Sequence, residues 1–257
     1  SWSGVTLIKP KNDPGFLGMS VTRMCETDSG AWILGSHAAD WSKNPLITRQ
    51  YILRSEDKGN SWTLLPGKRP DGWFSPKYGR MDEGRPIYLG KSEVYFMART
   101  PTGRIWESRS MDDGKTWADP KPSALVHPDA PPMVFHLSDD KTLIAFHHNR
   151  HINTQYVGLT GKMDGMRDRA EIWISLSKDG GRNWSEPQFL FTNVTRFNPA
   201  KNGWFNHNSS YMDAVIDGGT IHLFLPHLWN RALYMHLEEK DLTKLPTAQK
   251  LARRLAK

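Results

Sequence analysis

Histidine is concentrated where this chain could do proton chemistry. His147-His148-Asn149-Arg150-His151 packs three of the 10 histidines into one short stretch, with His136, His207 and His227 on other segments. Imidazole titrates near neutral pH, so such a group suits acid–base work or contact with a polar substrate. His148, Asn149 and His151, at and beyond the end of an apolar strand, are the candidates for that contact. The same residues can equally be satisfied structural side chains. Metal binding fits less well, because no carboxylate or cysteine stands at metal-ligand spacing with them. Cys25 is the only cysteine, so neither an intrachain disulfide nor a cysteine cluster can form. No metal or cofactor is expected.

Lys and Arg number 34 against 27 Asp and Glu, a formal charge of +7. The cations are scattered and no nucleic-acid recognition motif is present, which argues against a nucleic-acid partner. An anionic glycan fits the surplus, and so does plain solubility. No apolar run approaches the roughly 20 residues of a membrane-spanning helix. Ser1-Trp2-Ser3-Gly4 does not read as a signal peptide.

The elements that must position any site come from a repeat. Ser55-Glu56-Asp57-Lys58-Gly59-Asn60-Ser61-Trp62 is its first copy. Ser110-Met111-Asp112-Asp113-Gly114-Lys115-Thr116-Trp117 and Ser177-Lys178-Asp179-Gly180-Gly181-Arg182-Asn183-Trp184 follow. All read Ser-x-Asp-x-Gly-x-x-Trp. Asp closes a turn on the backbone just after it, Gly takes the left-handed conformation, and Trp packs back as an apolar plug. Each copy predicts a hairpin turn, with strands at 50–54, 104–108 and 170–176 leading in. Segments 31–35, 94–98 and 142–146 are the preceding strands, and 220–225 is a fourth equivalent without a box. Copies beginning at 55, 110 and 177 imply about one four-stranded blade each. Only residues 241–257 look helical, with Leu245, Leu251 and Leu255 as a weak stripe.

These boxes resemble the Asp-box repeats of the sialidase superfamily, and the resemblance runs over roughly residues 21–237. It implies an all-β, sialidase-like β-propeller of a six-bladed family, in a secreted or periplasmic setting. The boxes themselves then lie at the periphery and do no chemistry. The stretch from Glu83-Gly84-Arg85-Pro86 to Arg99-Thr100 looks like the family's central blade, with the arginine 16 residues after the glutamate (99 − 83 = 16). Arg104 follows as in related subfamilies. Met166-Arg167-Asp168-Arg169 resembles the segment that supplies a further clamping arginine, with Arg167 preferred and Arg169 the alternative. Ser209-Ser210-Tyr211-Met212 resembles the segment with the catalytic tyrosine.

The resemblance thus implies Tyr211 as nucleophile and Glu83 as the base that draws its proton. Arg99, Arg167 and Arg104 would bind the carboxylate of an acidic sugar. A neutral phenol needs such a base, and arginines hold carboxylates by paired charge-assisted hydrogen bonds. Each residue also has a plainer reading: a turn glutamate, an ion-paired arginine, a solvated loop cation, a blade aromatic.

Two family features are missing. No Arg-Ile-Pro motif occurs, and the aspartate acid/base of the first blade has no counterpart that can be placed. The expectation is one propeller domain over 1–257, supplying roughly four blades and a short C-terminal helical tail, and starting at the second blade. A missing N-terminal segment or a partner chain would complete the ring. The leading function is a sialidase-like glycoside hydrolase acting on a carboxylate-bearing sugar of a glycan. A polysaccharide lyase or uronate-active glycosidase using His and Tyr is the alternative, as is a non-catalytic glycan-binding propeller.

Overall fold

The structure is a computed structural model and describes residues 4–20, 23–149, 169, 171–192, 209–227 and 231–255. It is almost entirely β. The first sheet orders β1 (Met24–Glu26), β2 (Trp32–Asp40), β3 (Ile47–Ser55) and β4 (Thr63–Leu65) in sequence. The second does the same with β5 (Asp82–Gly90), β6 (Glu93–Arg99), β7 (Arg104–Ser110) and β8 (Lys121–Val126). The third holds β9 (Met133–His136), β10 (Leu143–His147), β11 (Glu171–Ser177) and β12 (Gln188–Thr192). The fourth is three-stranded: β13 (Asp213–Asp217), β14 (Thr220–His227) and β15 (Arg231–Glu238). Each is a meander, the sheet form of a propeller blade.

Burial explains the strand compositions. Val94 to Arg99 in β6 and all of β10 are buried. Strands covered on both faces read as continuous apolar runs. Asp213-Ala214-Val215 in β13 alternates exposed and buried, as a strand covered on one face must.

The boxes form the expected hairpin turns after β3, β7 and β11. Each box serine hydroxyl donates to its aspartate Oδ1 at 2.8 Å and accepts the glycine N–H at 2.8 Å. Each aspartate then accepts the N–H four residues on, at 2.8–2.9 Å. Trp62 and Trp117 donate Nε1–H to the carbonyls of Gly59 and Gly114 at 3.0 Å. These bonds hold the box aspartates low; Asp57 and Asp179 sit at about 2.

The chain falls into two compact units. One comprises residues 1–98 and 106–121, the other residues 99–105 and 122–257. In the first, Ile33, Ile52, Trp73, Met81, Val94 and Phe96 form a buried core on which Trp117 packs edge-on. Phe16, Tyr51, Leu53, Trp62 and Leu64 form another. Buried Gln50 knits the strands together. Its amide donates to the carbonyls of Ser36 and Tyr51 at 2.7 Å, and its oxygen accepts Gly84 N–H at 2.8 Å.

In the second unit, Phe135, Phe146, Ile172 and Ile174 pack against Met212, Ala214, Ile221 and Leu223. The C-terminal segment is helical, as the sequence suggests, and is divided into two pieces. A 3-10 helix covers Glu239–Lys244, and α1 spans Ala248–Leu255. Pro246 explains the break, since the residue before a proline is driven to extended backbone; Leu245 sits at ψ 143°. The extended stretch lies along β12, where Phe189 N–H donates to Pro246 O and Gln188 Nε2 to Leu245 O. That covers an edge otherwise open to pairing.

Candidate active site

Tyr211 stands just ahead of β13, and its neighbours fix it. Ser210 and Met212 are buried, the latter within the core of the second unit. Tyr211 takes φ 63°, a left-handed backbone that costs a bulky residue energy, and its side chain stays 42% exposed. Buried anchors on both sides thus present the phenol at the surface. Arg99 Nη1 donates to its hydroxyl at 3.2 Å.

Arg99 ends β6 and is buried. Its Nε donates to Asp129 Oδ1 at 2.6 Å, a pair only 8% and 14% exposed. The carbonyl of the same Asp129 accepts Arg169 Nη2. Arg169 is also buried. Its Nη1 donates to Ser210 Oγ at 3.1 Å, and its carbonyl accepts Ser209 N–H at 2.9 Å. Asp129 therefore holds both guanidinium groups, and one of those arginines holds the segment that carries Tyr211. The sequence reading missed Asp129. Its signal was His127-Pro128-Asp129-Ala130-Pro131-Pro132, where prolines stiffen the backbone around a lone carboxylate.

The remaining candidates divide. Of the two arginines considered near 167, Arg169 is the one in this network, and Arg167 lies outside the described residues, as does His151. Arg104 Nη1 donates to the carbonyls of Ser123 and Ala124 at 3.2 and 3.0 Å, which ties down β8. Glu83, in the first unit, is buried at φ 50°, and its N–H faces His37 Nδ1 at 3.5 Å. Asn149 takes φ 48°, so three of the named residues sit in left-handed backbone.

His148 is wholly buried and stacked on His127 with ring centroids 5.0 Å apart. Backbone carbonyls fix the tautomers, since a carbonyl can only accept. His148 Nδ1–H donates to Glu171 O at 2.8 Å, His147 Nδ1–H to Val126 O at 3.0 Å, and His127 Nε2–H to Pro131 O at 3.2 Å. Burial pushes His147 down to about 4 and His148 to about 3, the Arg169 charge adding to the second. Among the described residues no group of three or more His, Cys, Asp or Glu is placed to hold a metal ion.

Chemically, the network offers a surface phenol beside a guanidinium and a second cation fixed by the same aspartate. An arginine N–H on a phenol oxygen stabilises negative charge developing there.

The profile of the BNR repeat-like domain matches residues 1–223. No curated protein matches. Among solved structures, NanB with Optactamide is similar at TM-score 0.57 and 17% identity, over 89% of this chain and 31% of that one. NanB is a sialidase of Streptococcus pneumoniae. The intramolecular trans-sialidase of Ruminococcus gnavus, with oseltamivir carboxylate, is similar at TM-score 0.56 and 17% identity, over 89% and 44%. The β-1,2-mannobiose phosphorylase of Listeria innocua is similar at TM-score 0.55 and 10% identity, over 86% and 58%. The chain thus spans about a third to somewhat over half of these proteins. With its three boxes and its blade-type meanders, the chain belongs to the BNR repeat-like domain family and has a sialidase-like fold.

Proposed function

We propose that this chain carries the acid-sugar site of a sialidase-like glycoside hydrolase. Tyr211 is the nucleophile, Arg99 is the cation that receives the substrate's carboxylate, and buried Arg169 holds the segment that presents the phenol. The observation that carries this reading is the Arg99–Tyr211 hydrogen bond, made across 112 residues of sequence and braced by Asp129. Tyrosine-nucleophile sialidases are a recognised departure from two-carboxylate glycosidases. The relative bound to oseltamivir carboxylate supports a carboxylate-bearing ligand, while the mannobiose phosphorylase is a reason to test the sugar directly.

The base expected at Glu83 rests on the resemblance of the segment from Glu83 to Thr100 and on its spacing to Arg99. Its test is the pH profile of Glu83→Gln, which loses the acid limb of the wild type if Glu83 is the base. The reaction class is tested by incubating the protein with a fluorogenic sialoside and, separately, with uronate-containing polysaccharide. Release of the fluorophore without unsaturated uronate supports the proposal. Unsaturated product alone makes the protein a lyase, and saturable binding of either glycan without product makes it a binding module.

A further inference from the structure

Three segments of the second unit meet on one buried residue, His127, which stands just past β8. Its backbone N–H donates to the Gly103 carbonyl at 3.0 Å, in the turn that opens directly after Arg99. Its Nδ1 accepts the N–H of His148, one residue past β10, at 3.2 Å. Its Nε2–H donates to the Pro131 carbonyl at 3.2 Å, four residues further along its own loop.

The last of these bonds closes a loop with Asp129 at its centre. Pro128, Pro131 and Pro132 fix their own φ angles there, and Ala130 N–H donates to Pro128 O at 2.7 Å. The prolines stiffen the loop, and the imidazole sets how it hangs from the rest of the unit. Only a neutral imidazole can do this, because it donates at Nε2 and accepts at Nδ1 at once. Burial keeps the ring neutral by pushing its pKa well below the ordinary 6.5, with His148 and His147 adding to the effect. The stack on His148, with the rings within 12° of parallel, sets the plane in which both nitrogens point.

We propose that His127 is a positioning residue of the candidate site, holding the Asp129 loop so that Arg99 reaches Tyr211. The Asp129 carboxylate accepts Arg99 Nε–H at 2.6 Å, and Arg99 Nη1 then meets the phenol at 3.2 Å. A loop hung differently moves the carboxylate and turns the guanidinium off the hydroxyl. The consequence for turnover rests on the reading of Tyr211 as nucleophile, and the consequence for Arg99 does not.

The test is the Arg99 Nε–H resonance in a ¹⁵N–¹H NMR spectrum, assigned by its loss in Arg99→Lys. A charge-assisted hydrogen bond to a carboxylate displaces such a proton from the ordinary arginine position. His127→Phe keeps an aromatic ring for the stack and removes both nitrogens. If it fails to fold, His127→Asn takes its place, keeping an acceptor for His148 N–H and losing the donor to Pro131 O. His127→Gln keeps an amide N–H in place of Nε2–H. The proposal requires the displacement to fall by more than half in His127→Phe or His127→Asn and to be largely kept in His127→Gln. Cleavage of a fluorogenic sialoside should follow the same order, with kcat/KM at least about tenfold lower in His127→Phe or His127→Asn than in His127→Gln. An Arg99 signal that stays in place in His127→Phe or His127→Asn overturns the proposal, and so does its equal loss in His127→Gln. A wild type without sialoside turnover removes the hydrolase reading, and the Arg99 signal still decides the role of His127.

Discussion

Arg99 Nη1 donates to the Tyr211 hydroxyl at 3.2 Å, and the same guanidinium is held through Nε by Asp129 at 2.6 Å. The phenol is thus tied to a buried ion pair, and that pair is the first place to perturb.

Asp129→Asn leaves the Arg99 charge without its carboxylate in a site only 8% exposed. Breaking one side of a largely buried pair costs about 3 kcal/mol. Urea unfolding should show that loss. The variant should also lose turnover on any confirmed substrate, because the Asp129 carboxylate sets Arg99 beside Tyr211. Unfolding and turnover both unchanged would remove Asp129 from the site.

Gly84 allows a close approach that no other residue permits. A Cβ there would stand 1.9 Å from Phe96 Cζ, and one on Gly35 would stand 2.0 Å from the Gly84 carbonyl. Gly84→Ala should destabilise the first unit by about 3 kcal/mol, the upper range for overpacking a core. A urea midpoint equal to the wild type's would show that Phe96 relaxes freely.

Much of this fold was legible in the sequence because its determinants are local. Every bond of a box falls within eight residues, so Ser55 to Trp62 carries its own turn. Arg99, Arg169 and Tyr211 could be nominated from motif segments. Asp129 was not, since its partners stand 30 and 40 residues away and its only local cue is the flanking prolines. The burial of His148 was not legible either: its stacking partner His127 comes from 21 residues earlier, ahead of another sheet. The helical tail was legible from Leu245, Leu251 and Leu255, and Pro246 divides it into two pieces.

The box aspartates make stability fall in acid. Asp57 and Asp179 lie at about 2, below the ordinary 3.8, held there chiefly by hydrogen bonds from Ser61 and Asn183. A depressed carboxylate contributes stability that is complete above the unfolded value and is lost as pH falls towards the folded one. The thermal midpoint should therefore drop between pH 4 and pH 2, and less steeply in Asp179→Asn. A variant parallel to the wild type through that window would mean the boxes do not couple to the proton.

The buried histidines act at higher pH. His147 and His148 lie at about 4 and about 3 against an ordinary 6.5, because burial penalises the cation. Below pH 6.5 the unfolded chain takes up protons that the folded chain refuses. Stability is then full above that pH and falls by about 1.4 kcal/mol per pH unit for each histidine down to the folded value. Urea midpoints from pH 7 to pH 4.5 should show this slope, and His148→Gln should reduce it. An unchanged slope in that variant would contradict burial of the neutral ring.

The most direct test of the account is the rate of fluorogenic sialoside cleavage by Tyr211→Phe, measured beside the wild type with matched thermal midpoints. Wild-type turnover is expected, with a loss of at least about a hundredfold in kcat and KM little changed in the variant, as removal of a nucleophile requires. Wild-type turnover retained in Tyr211→Phe would contradict it and move the chemistry off the phenol.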